Sequence, residues 1–355
     1  MKKILVWLSG GVDSAVTAYL LKQQWYNVTA GFMINYLAEE GDDCPTEKDI
    51  EVAKEVAHYL KIPFFTFNYV EEYREKVLDY MYEWYQKWIT PNPDIMCNSE
   101  IKFKVFLDEA LEAWFDMVAT GHYARIESDK NGIFHLKKGI DARKDQSYFL
   151  AGLNQKQLSK TLFPIGILEK SEVRELAKKA GLPNAQRKDS QGICFVGKVD
   201  LSSFLEKKIA PKEGNIVDTK WNILGKHKWV FYYTIGQRKW LDIWGQPKPI
   251  FVVRKDIEEN EIIVWDESDI ELYDDSLFIG EFHFLTSPPA PLLRWEGSLK
   301  AKAKIRYRQA DQEVEIFKKG KWYEVVFKEK QRDIASGQVC AIYIDDELVM
   351  SGVIQ

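Results

Sequence analysis

Cysteine is scarce in this chain. Four occur in 355 residues, Cys44, Cys97, Cys194 and Cys340, and none forms a CxxC pair. That spacing argues against a structural zinc site, and a chain of this length does not need a disulfide scaffold. Long hydrophobic runs are missing too. None approaches the roughly 20 residues that cross a bilayer, and the apolar stretch after Met1-Lys2-Lys3 is too short for a signal peptide, so a cytoplasmic protein is expected. Nor is there an excess of positive charge. Lys and Arg number 49 against 54 Asp and Glu, a formal net charge of −5. This excludes general polyanion affinity while allowing a local basic surface. Low-complexity tracts and internal repeats are also lacking.

What is present is a globular composition, 46% hydrophobic and 29% charged, in a chain long enough for two or three domains. Ile4–Leu8 reads as a buried strand ending in a glycine turn, and Val12, Val16, Tyr19 and Leu20 then recur at helical spacing. Val28–Tyr36 reads as a strand and Thr46–Leu60 as an amphipathic helix with Thr46 as N-cap. "IPFFTFNY" reads as a further strand, 71–89 and 100–113 as helices, and Phe115–His122 as a fourth strand. "EKSEVRELAKKAGLP" reads as a helix with Ser171 as N-cap and Gly181 as its stop. Strands alternating with helices predict an α/β fold built on a parallel sheet. Residues 200–257 are aromatic and turn-rich. From about 258, short alternating runs ("EIIVW", "LKAKAKIRYRQ", "YEVVF", "QVCAIYI") predict an antiparallel β domain, a small barrel.

Between the first strand and helix stands "SGGVDS". Gly10 and Gly11 let the backbone approach an anion, Ser9 and Ser14 add hydroxyl donors, and the following helix turns its positive end to the same place. The pattern is neither GxxxxGK[ST] nor GxGxxG. An ordinary serine-capped turn is the alternative, but so many specified residues directly after the first strand disfavour it. The turn resembles the pyrophosphate loop of the ATP pyrophosphatases, which implies adenylation followed by nucleophilic displacement.

Cys97, in "NPDIMCNSEIKF", and Cys194, in "DSQGICFVG", lie in polar settings off any periodic apolar face, Cys97 just ahead of a helix. Cys340 alternates as a core strand residue. Cys44 lies among acids that raise a thiol pKa. An adenylating loop with two candidate thiols suggests sulfur chemistry, one thiol carrying a persulfide and the other resolving it.

Taken in order, "SGGVDS", "NPDIMCNSEIKF", "ATGHYAR", "ARKDQSYFL", "DSQGICFVG", "FYYTIGQRK", "KIRYRQ" and "SGQVCAIY" resemble the tRNA-specific 2-thiouridylase family over nearly the whole chain. The resemblance implies an ATP-pyrophosphatase (Rossmann-like) catalytic domain over 1–199, a small central domain over 200–257 and a C-terminal antiparallel β-barrel over 258–355. It implies ATP-dependent adenylation of O2 of the wobble uridine (U34) in tRNAs for Lys, Glu and Gln, then displacement of AMP by sulfur. Carried over by position, Ser9, Gly10, Gly11, Val12, Asp13 and Ser14 hold the phosphates, Trp7 and Leu8 fall at ATP-binding positions beside them, and Met33 and Gly121 border the adenosine. Cys97 matches the nucleophile, with Asp94 beside it as candidate acid/base, and Cys194 matches the persulfide carrier. Asn92, Pro93 and Asp94 meet the target base. His122, Lys144, Asp145, Gln146, Arg306, Tyr307 and Gln338 match tRNA-contacting positions. Magnesium accompanies the ATP. The sulfur donor implied is a cysteine desulfurase or a sulfur-relay protein, and the chain is expected to act as a monomer. The alternatives are another ATP-pyrophosphatase synthetase, which needs no cysteine pair, and a non-catalytic tRNA-binding protein.

Two further patterns stand out. Lys300, Lys302, Lys304, Arg306 and Arg308 recur at period two, which on a strand makes one cationic face. This reads equally as a phosphate track or a charge-protected edge strand. On a continuous strand Tyr307 falls on the face opposite Arg306, so a bulge or strand end is needed to bring both to one RNA surface. Of the 12 tryptophans, Trp7, Trp25, Trp114, Trp229, Trp240 and Trp244 stand where local physics asks for glycine. The reading is a UGA codon translated as Trp where the source cell inserts Gly; the alternative is a divergent protein with bulky loops. Trp84 and Trp88 read as helix core, and Trp322 as a strand residue.

Overall fold

The computed structural model describes residues 1–37, 46–87, 89–189, 201–206, 208, 210–243, 245–286 and 297–355. The strands β1 (Lys3–Trp7), β2 (Asn27–Ile34), β3 (Phe64–Asn68) and β4 (Met117–Ala119) build the first sheet. After them come β5 (Ala124–Ser128) and β6 (Phe134–Lys138), which lie elsewhere, and the short β7 (Thr161–Leu162). The sheet order is β3-β2-β1-β4-β7, all parallel. Chain reversal at β1 puts the crevice at the carboxyl ends of β1 and β4, where such sheets take ligands. Helix α1 (Val12–Gln23) packs on one face through Val12, Ala15, Val16, Ala18 and Leu21, all buried. Fully burying a side chain such as Leu21 contributes roughly 1.5–3 kcal/mol.

The helix read as starting at 100 starts at Pro93 and runs through 112. Asn92 caps it, its side chain accepting from the Ile95 amide at 3.2 Å, and Pro93 fills the first turn. Cys97 is therefore within the helix and fully buried in an apolar core, not in a polar loop ahead of it. Its stretch, Cys97–Val105, is π-helical, a winding that recurs at functional sites. The helix read with Ser171 as N-cap instead begins at Lys170, because Glu169, two residues before Ser171, is the N-cap and forms a reciprocal capping box with Glu172.

A smaller sheet follows. It contains β8 (Gly214–Asp218), β9 (Ile223–His227), β10 (Ile250–Asp256) and β11 (Glu261–Asp266), in the order β10-β11-β8-β9. The run "EIIVW", read as belonging to the barrel, is β11 of this sheet, paired to both β10 and β8. Lys255 on β10 donates to the Tyr233 carbonyl at 3.2 Å, and burial pushes its pKa down to about 8. The unfolded chain binds that proton up to about pH 10.5 and the folded chain only to about 8. Stability therefore rises as pH climbs through that window. Urea unfolding at pH 7 to 10 is expected to show this rise, and the Lys255→Met protein to show a flatter profile.

The last six strands close a barrel: β12 (Tyr273–Phe284), β13 (Leu299–Lys304), β14 (Gln312–Lys319), β15 (Trp322–Arg332), β16 (Val339–Ile344) and β17 (Glu347–Ile354). The order β12-β15-β14-β13-β16-β17 returns through β12–β17 pairing. The β5–β6 hairpin, sequentially within the first domain, adds to this sheet through Glu347↔Lys137. An ion pair from Arg125 to Asp346 reinforces it. The cationic stripe does not persist. Lys300 and Lys302 are exposed, but Lys304 turns inward to Asp145 at 3.2 Å. The strand ends there, and 305–308 form a turn with Arg308 at φ +65°. β13 is flanked by β14 and β16, so it is no edge strand either.

Among the tryptophans, Trp25, Trp114 and Trp240 have φ of +63°, +65° and +68°, and Trp221, which the sequence reading passed over, has +66°. Trp229 is extended at φ −171° and packs its ring 4.2 Å from Phe231, so its backbone does not ask for glycine. Trp7 is an ordinary strand residue. Trp84 packs its ring against Tyr80 at a tilt of 48°, while Trp88 and Trp244 lie outside the described residues. Among the described residues no helix is long and apolar enough to cross a membrane.

Candidate active site

The Ser9–Ser14 turn lies at the carboxyl end of β1, as its glycines anticipate. Gly10 has φ +76°, and a Cβ there would stand 2.7 Å from the Asp49 carbonyl oxygen and 2.9 Å from Arg187. Glycine is therefore required twice over, by conformation and by space. The Ser9 amide donates to Ser14 Oγ at 3.2 Å, and Ser14 Oγ donates to the Gly11 carbonyl at 3.0 Å. The Gly10 carbonyl accepts from Asn184 Nδ2 at 2.9 Å and Arg187 at 3.2 Å, and Arg187 is itself paired with Asp49. Gly121 abuts the start of α1, where a Cβ would meet the Ser14 amide at 2.8 Å. Met33 is fully buried in β2. His122 is buried too, its Nδ1 2.7 Å from Thr120 Oγ1. Burial, and then the nearby Lys102 ammonium, hold its pKa well below the ordinary value, so the ring is neutral at pH 7.

Asp13 is ringed by partners from distant sequence. Tyr123 donates to it at 2.9 Å, and Lys170 Nζ reaches both its oxygens at 2.7 and 2.8 Å. Lys170 also pairs with Asp189 at 2.9 Å, as does Lys144 at 2.9 Å, and Arg174 joins them. Partial burial raises the Asp189 pKa, but hydrogen bonds from Lys170 and Lys144 outweigh it and hold the carboxyl below its ordinary value. Lys170, Asp189, Arg187 and Asn184 escaped the sequence reading. They converge only on folding, and no spacing within any local window marks them.

A second cluster surrounds Cys97. Asn98 Nδ2 donates to the Asp94 and Phe149 carbonyls at 3.0 and 3.1 Å. One carboxylate oxygen of Asp94, Oδ1, is buried without a hydrogen-bond partner. Unmet acceptors of this kind are costly in a folded interior. From the barrel, Gln338 Oε1 accepts from Asn92 Nδ2 at 3.2 Å, and its Nε2 donates to the Pro91 carbonyl at 3.1 Å. Tyr148, between the two, donates to the Val339 carbonyl at 2.9 Å. Tyr307 packs its ring 4.3 Å from Phe149, so the turn that ends β13 brings it to the side of Asn98. Arg306 pairs with Asp333 at 3.4 Å. A shallow groove runs past Arg306, Tyr307, Arg308, Lys330 and Arg332. Gln146 Oε1 accepts from the Tyr123 amide at 3.0 Å, and Asp145 holds Lys304. The helix carrying Cys97 connects the two clusters. Lys102, five residues on in the same helix, sets its ammonium 4.4 Å over the Trp7 ring at the end of β1. Cys194 lies outside the described residues. Cys340 is buried on β16, its thiol pushed up to about 12 by burial, which leaves it inert.

Fold and site together define a nucleotide-loop α/β domain joined to a barrel. Known protein families divide it likewise. The tRNA methyl transferase HUP domain matches residues 2–198, its PRC-barrel domain 202–266, and an aminomethyltransferase beta-barrel domain 274–354. The tRNA-specific 2-thiouridylase MnmA of Streptococcus uberis is 43% identical over 99% of this chain and 95% of its own length. That of Christiangramia forsetii is 43% identical over the full length of both. The chain belongs to the tRNA-specific 2-thiouridylase family of sulfurtransferases.

Proposed function

We propose that this protein converts the wobble uridine (U34) of tRNAs for Lys, Glu and Gln to 2-thiouridine. ATP seats its phosphates on Ser9–Ser14, and uridine O2 attacks the α-phosphorus, releasing pyrophosphate. A persulfide on Cys194, loaded by a cysteine desulfurase or relay protein, attacks C2, and AMP leaves. Cys97 then attacks the Cys194 sulfur, freeing the thiocarbonyl and leaving a Cys97–Cys194 disulfide that a thiol reductant resets. The observation that carries this reading is the Asp94 oxygen, buried and unmatched one turn from Cys97. It suits the N3–H of an extruded uracil, and extrusion from an anticodon loop is cheap. In this scheme Mg2+ arrives with the triphosphate. The basic groove beside Arg306 tracks the RNA backbone. Mass spectrometry of the wobble nucleoside, after incubation of unmodified tRNA with ATP and a persulfide donor, is expected to show 2-thiouridine. Its absence, with tRNA still bound, supports the non-catalytic alternative.

A further inference from the structure

The Ser9–Ser14 turn offers amides to a polyanion, yet it carries a carboxylate of its own. At an effective dielectric of about 20, a carboxylate about 10 Å from a phosphate weakens binding by roughly ten- to twentyfold unless it is neutralised. Lys170 supplies that neutralisation: its ammonium contacts both Asp13 oxygens, and its side chain is only 14% exposed, so water does not substitute for it. The Glu169–Glu172 capping box and the bond from the Lys170 amide to Asp141 at 3.0 Å fix where the side chain leaves its helix. Asp189 then holds the ammonium from the other side. We infer that Lys170 is the counter-ion that makes Asp13 compatible with a nucleoside triphosphate, and that Asp189 is its positioning residue. This rests on the nucleotide reading of the turn.

The test is ATP binding by calorimetry without added Mg2+, using Lys170→Gln, which keeps a hydrogen bond to Asp13 but no charge, and Lys170→Met. Both are expected to weaken ATP by roughly tenfold with tRNA affinity unchanged, and Lys170→Arg to retain most of the affinity. Adding Asp13→Asn to Lys170→Gln should recover affinity, because the repulsion is gone, an outcome that a merely structural role for Lys170 does not produce. Unchanged ATP affinity in Lys170→Gln, or a double variant no tighter than the single, overturns the inference. Failure of the unaltered protein to bind ATP instead overturns the nucleotide reading itself.

An independent observation concerns the tryptophans. Left-handed backbone is rare for any residue with a Cβ and a clear outlier for a bulky one. Yet Trp25, Trp114, Trp221 and Trp240 all adopt it. Two of them end helices in the same way. The Tyr26 amide bonds to the Leu21 carbonyl and the Phe115 amide to the Ala110 carbonyl. This is the closure in which glycine is the usual residue at the left-handed position. The helix Lys170–Lys179 closes identically, Leu182 to Ala177, with Gly181 at φ +65°, and Thr46–Leu60 closes the same way, Ile62 to Ala57, with the unbranched Lys61 at φ +52°. The four indoles are 80%, 83%, 56% and 70% exposed, so burial does not hold them in place. Trp322 contrasts: its ring fills the space over Gly280, where a Cβ would lie 2.0 Å away.

We propose that positions 25, 114, 221 and 240 are glycine in the polypeptide made by the source cell, encoded by UGA read as glycine. Peptide mass spectrometry of the natural protein should find glycine there and tryptophan at 322. UGG codons at the four positions, or tryptophan in those peptides, overturn it. In recombinant protein, Trp25→Gly and Trp114→Gly should each raise the melting midpoint by roughly 2–4 °C, while Trp25→Ala and Trp114→Ala do not and Trp322→Gly lowers it. Glycine variants no more stable than the alanine ones also overturn the proposal.

Discussion

Cys97→Ser is expected to abolish tRNA thiolation, by at least about a thousandfold, while ATP and tRNA still bind. The thiol is the group that takes the Cys194 sulfur in the proposed scheme, and a hydroxyl is a poor nucleophile without an adjacent base. Cys97 is fully buried and forms no disulfide among the described residues. Burial does bring a second effect: a hydroxyl in an apolar core without a partner destabilises by about 1–3 kcal/mol. Cys97→Ala separates the two, since it should be equally inactive but closer to the parent in melting temperature. Nucleoside mass spectrometry with a denaturation curve measures both. A Cys97→Ser protein that turns over normally removes the resolving role and with it the two-thiol scheme.

Gly337→Ala is expected to disable the enzyme from the barrel side. Gly337 has φ +90°, and a Cβ there would fall 2.1 Å from Ile89 Cγ2 and 2.6 Å from the Thr90 carbonyl oxygen. The neighbours cannot retreat cheaply. Thr90 donates its amide to the Ser336 carbonyl at 2.9 Å, and Gln338 grips Pro91 and Asn92. Backbone strain and steric conflict together amount to roughly 2–4 kcal/mol, released by lifting the 336–338 turn off the loop that leads to Cys97. Thiolation should fall by a hundredfold or more. The effect should be in the KM for tRNA, with the KM for ATP little changed, because the Ser9–Ser14 turn is built by other elements. Steady-state kinetics varying each substrate in turn distinguish the two. Equal damage to both constants indicates global unfolding and removes the barrel's specific role at the base loop.

How much of the site was legible depended on the distance over which its chemistry is encoded. The Ser9–Ser14 turn needs glycines, serines and a strand–helix junction within a few residues, and the turn itself is legible from that pattern. The Cys97 setting was misjudged because polar neighbours in sequence suggested a loop. Asn92 and Pro93 start the helix earlier than the apolar periodicity does, and the helix carries the thiol inside. Period two in the lysines points to one face of a strand, with a bulge or strand end needed to bring Arg306 and Tyr307 together. The chain turns after Lys304, which becomes an interior partner of Asp145. That same turn brings Tyr307 to Phe149, which a continuous strand would have prevented.

The sequence by itself determined the features set by neighbouring residues. These are the α/β alternation that makes the parallel sheet, the glycine turn at the carboxyl end of its first strand, the inert strand position of Cys340, and the helix ends at Trp25 and Trp114, where a left-handed residue must follow. Backbone conformation at such points depends on a few adjacent dihedrals. Only the tertiary structure decided which distant groups share a site. Lys170 meets Asp13 across 157 positions, Gln338 meets Asn92 across 246, and the β5–β6 hairpin leaves its own domain to join the barrel. These contacts follow from how sheets and helices stack once their apolar faces are buried, and no local window of residues records that stacking.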